Sequence, residues 1–215
     1  MKSYVIRLAS QAVPLCGEAA AGPWASADVA RIDQFPWYKA GVKQAAEARA
    51  LYDDRAIYLQ FLCEDQHISA EVTETNGPVS KDSCVEFFAT IEPQRGPDYF
   101  NIEVNCCGTR LMKWGVERNG RKLITPELAR RTEVATSVPG PTKAESPPDD
   151  GWWVAYAIPW DLLSEFTGRP VAPQAGTRWR ANFYRCGGKT DRQNACWNPT
   201  QDYHGPQWFG EVRFA

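Results

Sequence analysis

Apolar and polar residues alternate at every second position through most of the readable chain, and the stretches between such runs are rich in Gly, Pro, Asn and Asp. That is the signature of half-buried strands joined by turns. The pattern predicts strands at SYVIRL, ARALYD, AIYLQFLCE, SCVEFFATI, YFNIEVNCCG, RLMKWGVER, EVATSVP, WWVAYAIP, RWRANFYRC and FGEVRFA. The DDR segment at 53–55 reads as a tight hairpin supported by Asp side chains. Two short helices are expected, PELARR and PWDLLSEF, the second with an Asp as N-cap and Gly168 as its C-terminal stop. The Pro-rich stretch 139–151 reads as a long loop between strands, because too few elements follow it to make an independent unit. The expected fold is all-β: a two-sheet antiparallel β-sandwich, jelly-roll or immunoglobulin-like, with one or two short helices.

The same alternation assigns faces. Val85, Phe87 and Ala89 point one way, and Cys84, Glu86 and Phe88 the other. Phe100, Ile102 and Val104 oppose Asn101, Glu103 and Asn105. Trp179, Ala181 and Phe183 oppose Arg180, Asn182 and Tyr184, while Ile57, Leu59 and Phe61 oppose Tyr58, Gln60 and Leu62. If these strands are neighbours, one sheet shows an outer face bearing Tyr58, Gln60, Glu86, Glu103, Asn182 and Tyr184.

The 215 residues fit a single domain over 1–215. A net charge of −2 gives no basic face for nucleic acid or an anionic membrane, so neither partner is expected. The opening MKSYVIRLASQAVPLCGE is broken by Arg7 and Gln11, which predicts no secretory signal in these residues, and no run is long enough for a membrane span. The compartment is not specified. The seven cysteines show neither CxxC spacing nor a disulfide framework, although Cys186 and Cys196 could staple a loop. Nine Trp call for a large core or for stacking sites.

The ordered run ARALYDDRAIYLQFLCED, KDSCVEFF, YFNIEVNCCG, GWWVAYAIPWDLL, WRANFYRC, WNPT and FGEVRF resembles carbohydrate-binding module family 9, over about residues 18–215. Those domains are β-sandwiches attached to xylanases or found in stand-alone bacterial proteins. The resemblance implies a non-catalytic domain that grips a saccharide, at a chain end, between two Trp rings, with a glycoside hydrolase as an associated partner and calcium as an implied ion. The family's acidic ligand falls on Glu86. Its first clamp Trp has no aromatic counterpart here, Val79 being nearest, and its basic ligand falls on Glu103 with the charge reversed. Its second clamp falls on Tyr203 or His204.

Sugars need a flat aromatic and fixed hydrogen-bonding groups. Glu86, Glu103, Asn182, Tyr184 and Arg185 are therefore expected to bond hydroxyls, and Trp114, Trp197, Tyr203 or His204 to stack. Arg185 or Arg180 would neutralise Glu103. Trp208 and Phe209 are assigned to the core, and Trp24, Trp37, Trp152 and Trp160 to packing. Three competing readings stand beside this one: a sandwich that lost its sugar site and serves as an interaction or scaffold domain, a glycoside hydrolase using Glu86 and Glu103, and a haem site using Met112 with His67 or His204.

Overall fold

The computed structural model describes residues 1–143, 149–187 and 194–215. Parts of two predicted loops, 144–148 and 188–193, lie outside the described residues. Each of the ten predicted strands is present: β1 (Ser3–Leu8), β3 (Ala46–Tyr52), β4 (Ala56–Glu64), β5 (Ser83–Thr90), β6 (Tyr99–Asn105), β7 (Arg110–Gly115), β9 (Glu133–Thr136), β10 (Gly151–Pro159), β11 (Arg178–Gly187) and β13 (Gly210–Phe214). The pattern missed β2 (Ala30–Ile32), β8 (Lys122–Leu123) and β12 (Ala195–Cys196). Strands of two or three residues are too short to display a period.

The first sheet runs β8-β7-β6-β5-β11-β13-β1 with β12 beside β11, and the second runs β1-β3-β4-β10-β9 with β2 beside β3. β1 belongs to both, pairing through Ser3–Ile6 with β13 and through Arg7 and Leu8 with β3. Its two pairings are parallel, whereas the other strand pairs are antiparallel, so the sandwich departs from the expected antiparallel rule only at the strand that changes sheets.

The predicted inner positions meet between the sheets. Leu59 and Phe61 from the second sheet, and Val85, Phe87, Ile102 and Phe183 from the first, are all fully buried in one core. Phe61 meets Phe183 edge-on at 6.2 Å, tying sheet to sheet. Burying a side chain of this size contributes about 2 kcal/mol.

Helix α1 (Pro126–Ala129) and helix α2 (Trp160–Thr167) lie where expected. Gly168 ends α2 at φ 70°, the left-handed conformation that glycine adopts without steric cost. The N-cap, however, is Pro159, and Asp161 sits in the first turn with Oδ1 accepting from Leu162 N at 2.7 Å. The DDR hairpin forms as predicted: Asp53 Oδ1 accepts from the amides of Arg55 (2.8 Å) and Ala56 (2.9 Å). Among the described residues no helix is long and apolar enough to cross a membrane.

Cys186 and Cys196 are free thiols. Register explains why the bridge does not form: Cys196 faces Tyr184 on one edge of β11, while Cys186 faces Cys84 on the other.

Candidate functional site

Register builds the site on the outer face of the first sheet. One cross-strand row is Asn182, Phe88, Asn101 and Lys113; the next is Tyr184, Glu86, Glu103 and Leu111. Glu86 and Glu103 are thus direct cross-strand neighbours, 3% and 8% exposed. Two carboxyls side by side, out of water, resist ionisation. Burial pushes both up. Glu86 lies well above the usual carboxylate range, with Glu103 adding to the effect, while Lys113 and Arg121 hold Glu103 to about 7.

A hydrogen-bonded chain leads away from Glu103. Asn101 Nδ2 donates to Glu103 Oε1 at 2.9 Å, and Arg121 Nη1 donates to Asn101 Oδ1. Arg121 Nη2 reaches His204 Nδ1 at 3.2 Å, and Tyr99 Oη reaches the same nitrogen at 2.8 Å. Because a guanidinium can only donate, Nδ1 accepts, which places the imidazole proton on Nε2 and leaves His204 neutral. Burial, with help from Arg121 and Arg118, lowers the His204 pKa to about 4. The Arg121 guanidinium also lies 4.7 Å from the centre of the Tyr99 ring. It can cross there because Gly115 is opposite Tyr99: a Cβ at 115 would stand 2.8 Å from Arg121 Cγ.

On the other flank, Tyr203 stacks on Tyr184 (4.3 Å, 27°) and Trp37 stacks on Tyr203 (4.6 Å, 22°). The Tyr184 hydroxyl donates to Tyr203 O at 3.1 Å, and the Cys186 thiol donates to Glu86 Oε1 at 3.1 Å. Among the described residues the Oε2 atoms of Glu86 and Glu103 accept no hydrogen bond.

The structure brings together Glu86, Glu103, Tyr184, Tyr203 and His204, and separates the other predicted site residues from them. Arg185 points inward and pairs with Asp65 at 3.2 Å, both completely buried, so it cannot neutralise Glu103. Arg180 is spent on the carbonyls of Gln207 (3.1 Å) and Phe209 (2.8 Å). Asn182 is used as a structural clamp: Oδ1 accepts from Asn198 N and Nδ2 donates to Asn198 O, each at 2.9 Å. Trp197 lies in the core against Tyr4 and Phe183, and Trp114 packs on the core side beneath Arg169. Neither forms a wall.

Tyr58 and Gln60 belong to the second sheet and do not share this face. Met112 is fully buried in the core, on the face of its strand opposite the one under His204, so the haem pairing with His204 has no geometry. Trp208, assigned to the core, is 38% exposed. Trp37 was assigned to packing and instead caps the ring stack. The cation that serves the acidic row is Arg121, in a loop where nothing in the local sequence marks it. The available signal was the row itself, since a buried acid calls for a positive neighbour.

A family model for carbohydrate-binding family 9 matches residues 23–214. The chain belongs to carbohydrate-binding family 9. Among solved structures, this family-9 chain is similar to a candidate carbohydrate-binding protein from Bacteroides uniformis ATCC 8492, with 26% identity and a TM-score of 0.86 over 100% of this chain and 99% of that one. It is also similar to a family 9 module from Caldicellulosiruptor kristjanssonii. The complex of that module with cellotriose aligns at 16% identity and TM-score 0.66, over 99% of this chain and 93% of that one. Its glucose complex aligns at 17% identity and TM-score 0.63, over 98% and 95%. These two likenesses establish the shared fold. No curated protein matches the chain.

In this family-9 domain the place nearest the missing first clamp is occupied by Val79, buried with Cys84, Leu111 and Cys186. Among the described residues no three His, Cys, Asp or Glu side chains converge to hold a metal ion.

Proposed function

We propose that this family-9 domain binds the terminal pyranose of a saccharide, without catalysis, over Glu103 and Glu86, beside the Trp37–Tyr203 stack. The observation that carries the reading is the pair of Oε2 atoms left without protein donors on a floor whose neighbouring carboxyl oxygens and Asn101 amide are hydrogen-bonded. A sugar hydroxyl would donate to an ionised carboxyl there or accept from a protonated one, and each such bond would offset desolvation that the fold has already incurred. Lys113, Arg118 and His204 Nε2 supply donors at the rim. One aromatic wall, rather than two, supports stacking worth about 1 kcal/mol.

Calorimetric titration with glucose, cellotriose and a xylo-oligosaccharide tests this. Binding to at least one, abolished in Glu103→Ala and weakened in Tyr203→Ala, is the expected result; absence of heat with every sugar would sink it. The panel also decides between xylan-type and cello-type chains. Linking to, or docking with, a glycoside hydrolase is the partner arrangement the family suggests, and raised hydrolysis of insoluble substrate by the joined pair is its test. Release of reducing sugar by the domain alone, lost in Glu86→Gln, is what a hydrolase reading requires.

One observation favours the interaction-domain reading. The loop after β12 lies down on the sheet, with Tyr203 Oη donating to Arg185 O at 3.3 Å and its ring held between two others. If that loop never lifts, the acidic row is sealed. This reading predicts no sugar affinity at all and no change on Trp37→Ala.

A further inference from the structure

We propose a second saccharide site on the opposite side of the molecule: a cleft of about 850 Å³ on the outer face of the second sheet that takes an uncharged pyranose. Its floor is a single cross-strand row in which Tyr58 of β4, Ala157 of β10 and Glu133 of β9 are direct register partners. A methyl group between two long side chains leaves a hollow, with an aromatic ring on one side and a carboxylate on the other. The volume falls within the range of about 300–1,000 Å³ usual for small-molecule sites.

The hollow is held in shape before any ligand arrives. The Tyr58 hydroxyl is committed to Asp53 Oδ2 at 2.8 Å, so the residue offers its ring face rather than its hydroxyl. Asp53 also accepts the hairpin amides described above, and its carbonyl accepts from Trp160 Nε1 at 2.9 Å. A further wall comes from the N-terminal segment around Leu15, which is pinned to the sheet by Gln60 Nε2 donating to Cys16 O (2.8 Å) and Glu18 O (3.3 Å). Preorganisation of this kind removes ordering cost from binding.

The free polar groups define the ligand class. Arg55 and Glu133 line the cleft with exposed side chains and, among the described residues, enter no ion pair. They provide one donor fork and one acceptor pair. Asp54 and Arg130, also at the rim, are of opposite sign, and with Asp53 and Asp161 the lining carries four acids against three arginines. The third arginine there, Arg131, is neutralised by Asp161 (2.6 Å) and Glu165 (2.8 Å). A phosphate or polyanion would find no net attraction. A flat polyol, with an apolar face for Tyr58 and hydroxyls for Arg55 and Glu133, matches both halves of the lining. With sites on both sheets, the domain would join two glycan ends or gain avidity on one surface.

Neither the cleft nor its lining depends on the reading of the first sheet. An amide NMR titration of the full chain with glucose, and separately with cellotriose, tests it. Saturable shifts are expected at Arg55, Ala56, Tyr58, Glu133 and Ala157. In the double variant Arg55→Ala/Glu133→Gln the apparent Kd of that cluster should weaken by about tenfold or more, while shifts around Glu103 persist. Both substitutions are at exposed positions, so the spectrum should otherwise stay that of the folded chain. The proposal is overturned if neither sugar moves the cluster saturably, or if the double variant leaves the cluster's Kd unchanged. Shifts at the cluster with none near Glu103 would sink the first-sheet site and support this one.

Discussion

Acidic groups are buried in several places, and two of those places are handled in opposite ways. Between the sheets, Asp65 meets the Arg185 guanidinium, accepts from Trp152 Nε1 at 3.1 Å on the same oxygen, and accepts from His67 N at 3.0 Å on the other. On the outer face, Glu86 and Glu103 lie beside each other with only a thiol and an amide as direct protein donors, and the nearest cations act at a remove. A carboxylate with its oxygens satisfied is a structural part. Carboxyls short of hydrogen-bond partners keep a standing demand for them, which is the physical condition for recognising hydroxyls.

The contrast can be broken most forcefully from the inside. Arg185→Met leaves Asp65 buried without its cation, and denaturant unfolding should register a loss of about 3–5 kcal/mol; a loss below about 1 kcal/mol would show that the inner pair is no better served than the outer one. On the outer face the sign reverses. Glu103 is protonated in the fold up to about pH 7 but ionises near its ordinary value of 4.5 when unfolded. Its contribution is therefore intact below about pH 4.5 and is lost as pH rises through about 7. Glu103→Gln should flatten that fall, and the variant should exceed the wild type in stability at pH 8 by a margin on the order of 3 kcal/mol. Equal pH profiles for the two proteins would refute the account.

Smaller effects sharpen the picture. Tyr203→Ala removes the middle ring of the stack and should weaken saccharide binding by about tenfold, with a modest loss of thermal stability. At the low end, Arg118→Ala breaks an exposed rim pair with Asp202 (3.1 Å) and should shift stability by no more than about 0.5 kcal/mol. Any change it makes in sugar affinity would locate the rim donor.

Glu86 and Glu103 were readable as occupants of one face because each stands at an outward position of an alternating strand. Their cation was not. Arg121 arrives from a hairpin beyond β7, reaching over Gly115 to Asn101, while Arg185, nearer in sequence to the predicted face, points inward because its position matches Phe183 in the alternation. That parity could have been read from RWRANFYRC, and it excludes Arg185 from the outer face. Trp197 misled for another reason: a loop-like sequence, ACWNPT, carries a residue that the fold turns into the core.

The sequence by itself determined the ten longer strands, the inward set of their apolar side chains and the family, because side-chain alternation and turn chemistry are local and repeat along the chain. Which strands lie side by side, which strand changes sheets, and what covers each outer face were decided by tertiary structure. Those choices depend on pairing between segments distant in sequence and on loops such as the one carrying Tyr203, whose resting place is set by the surfaces they meet.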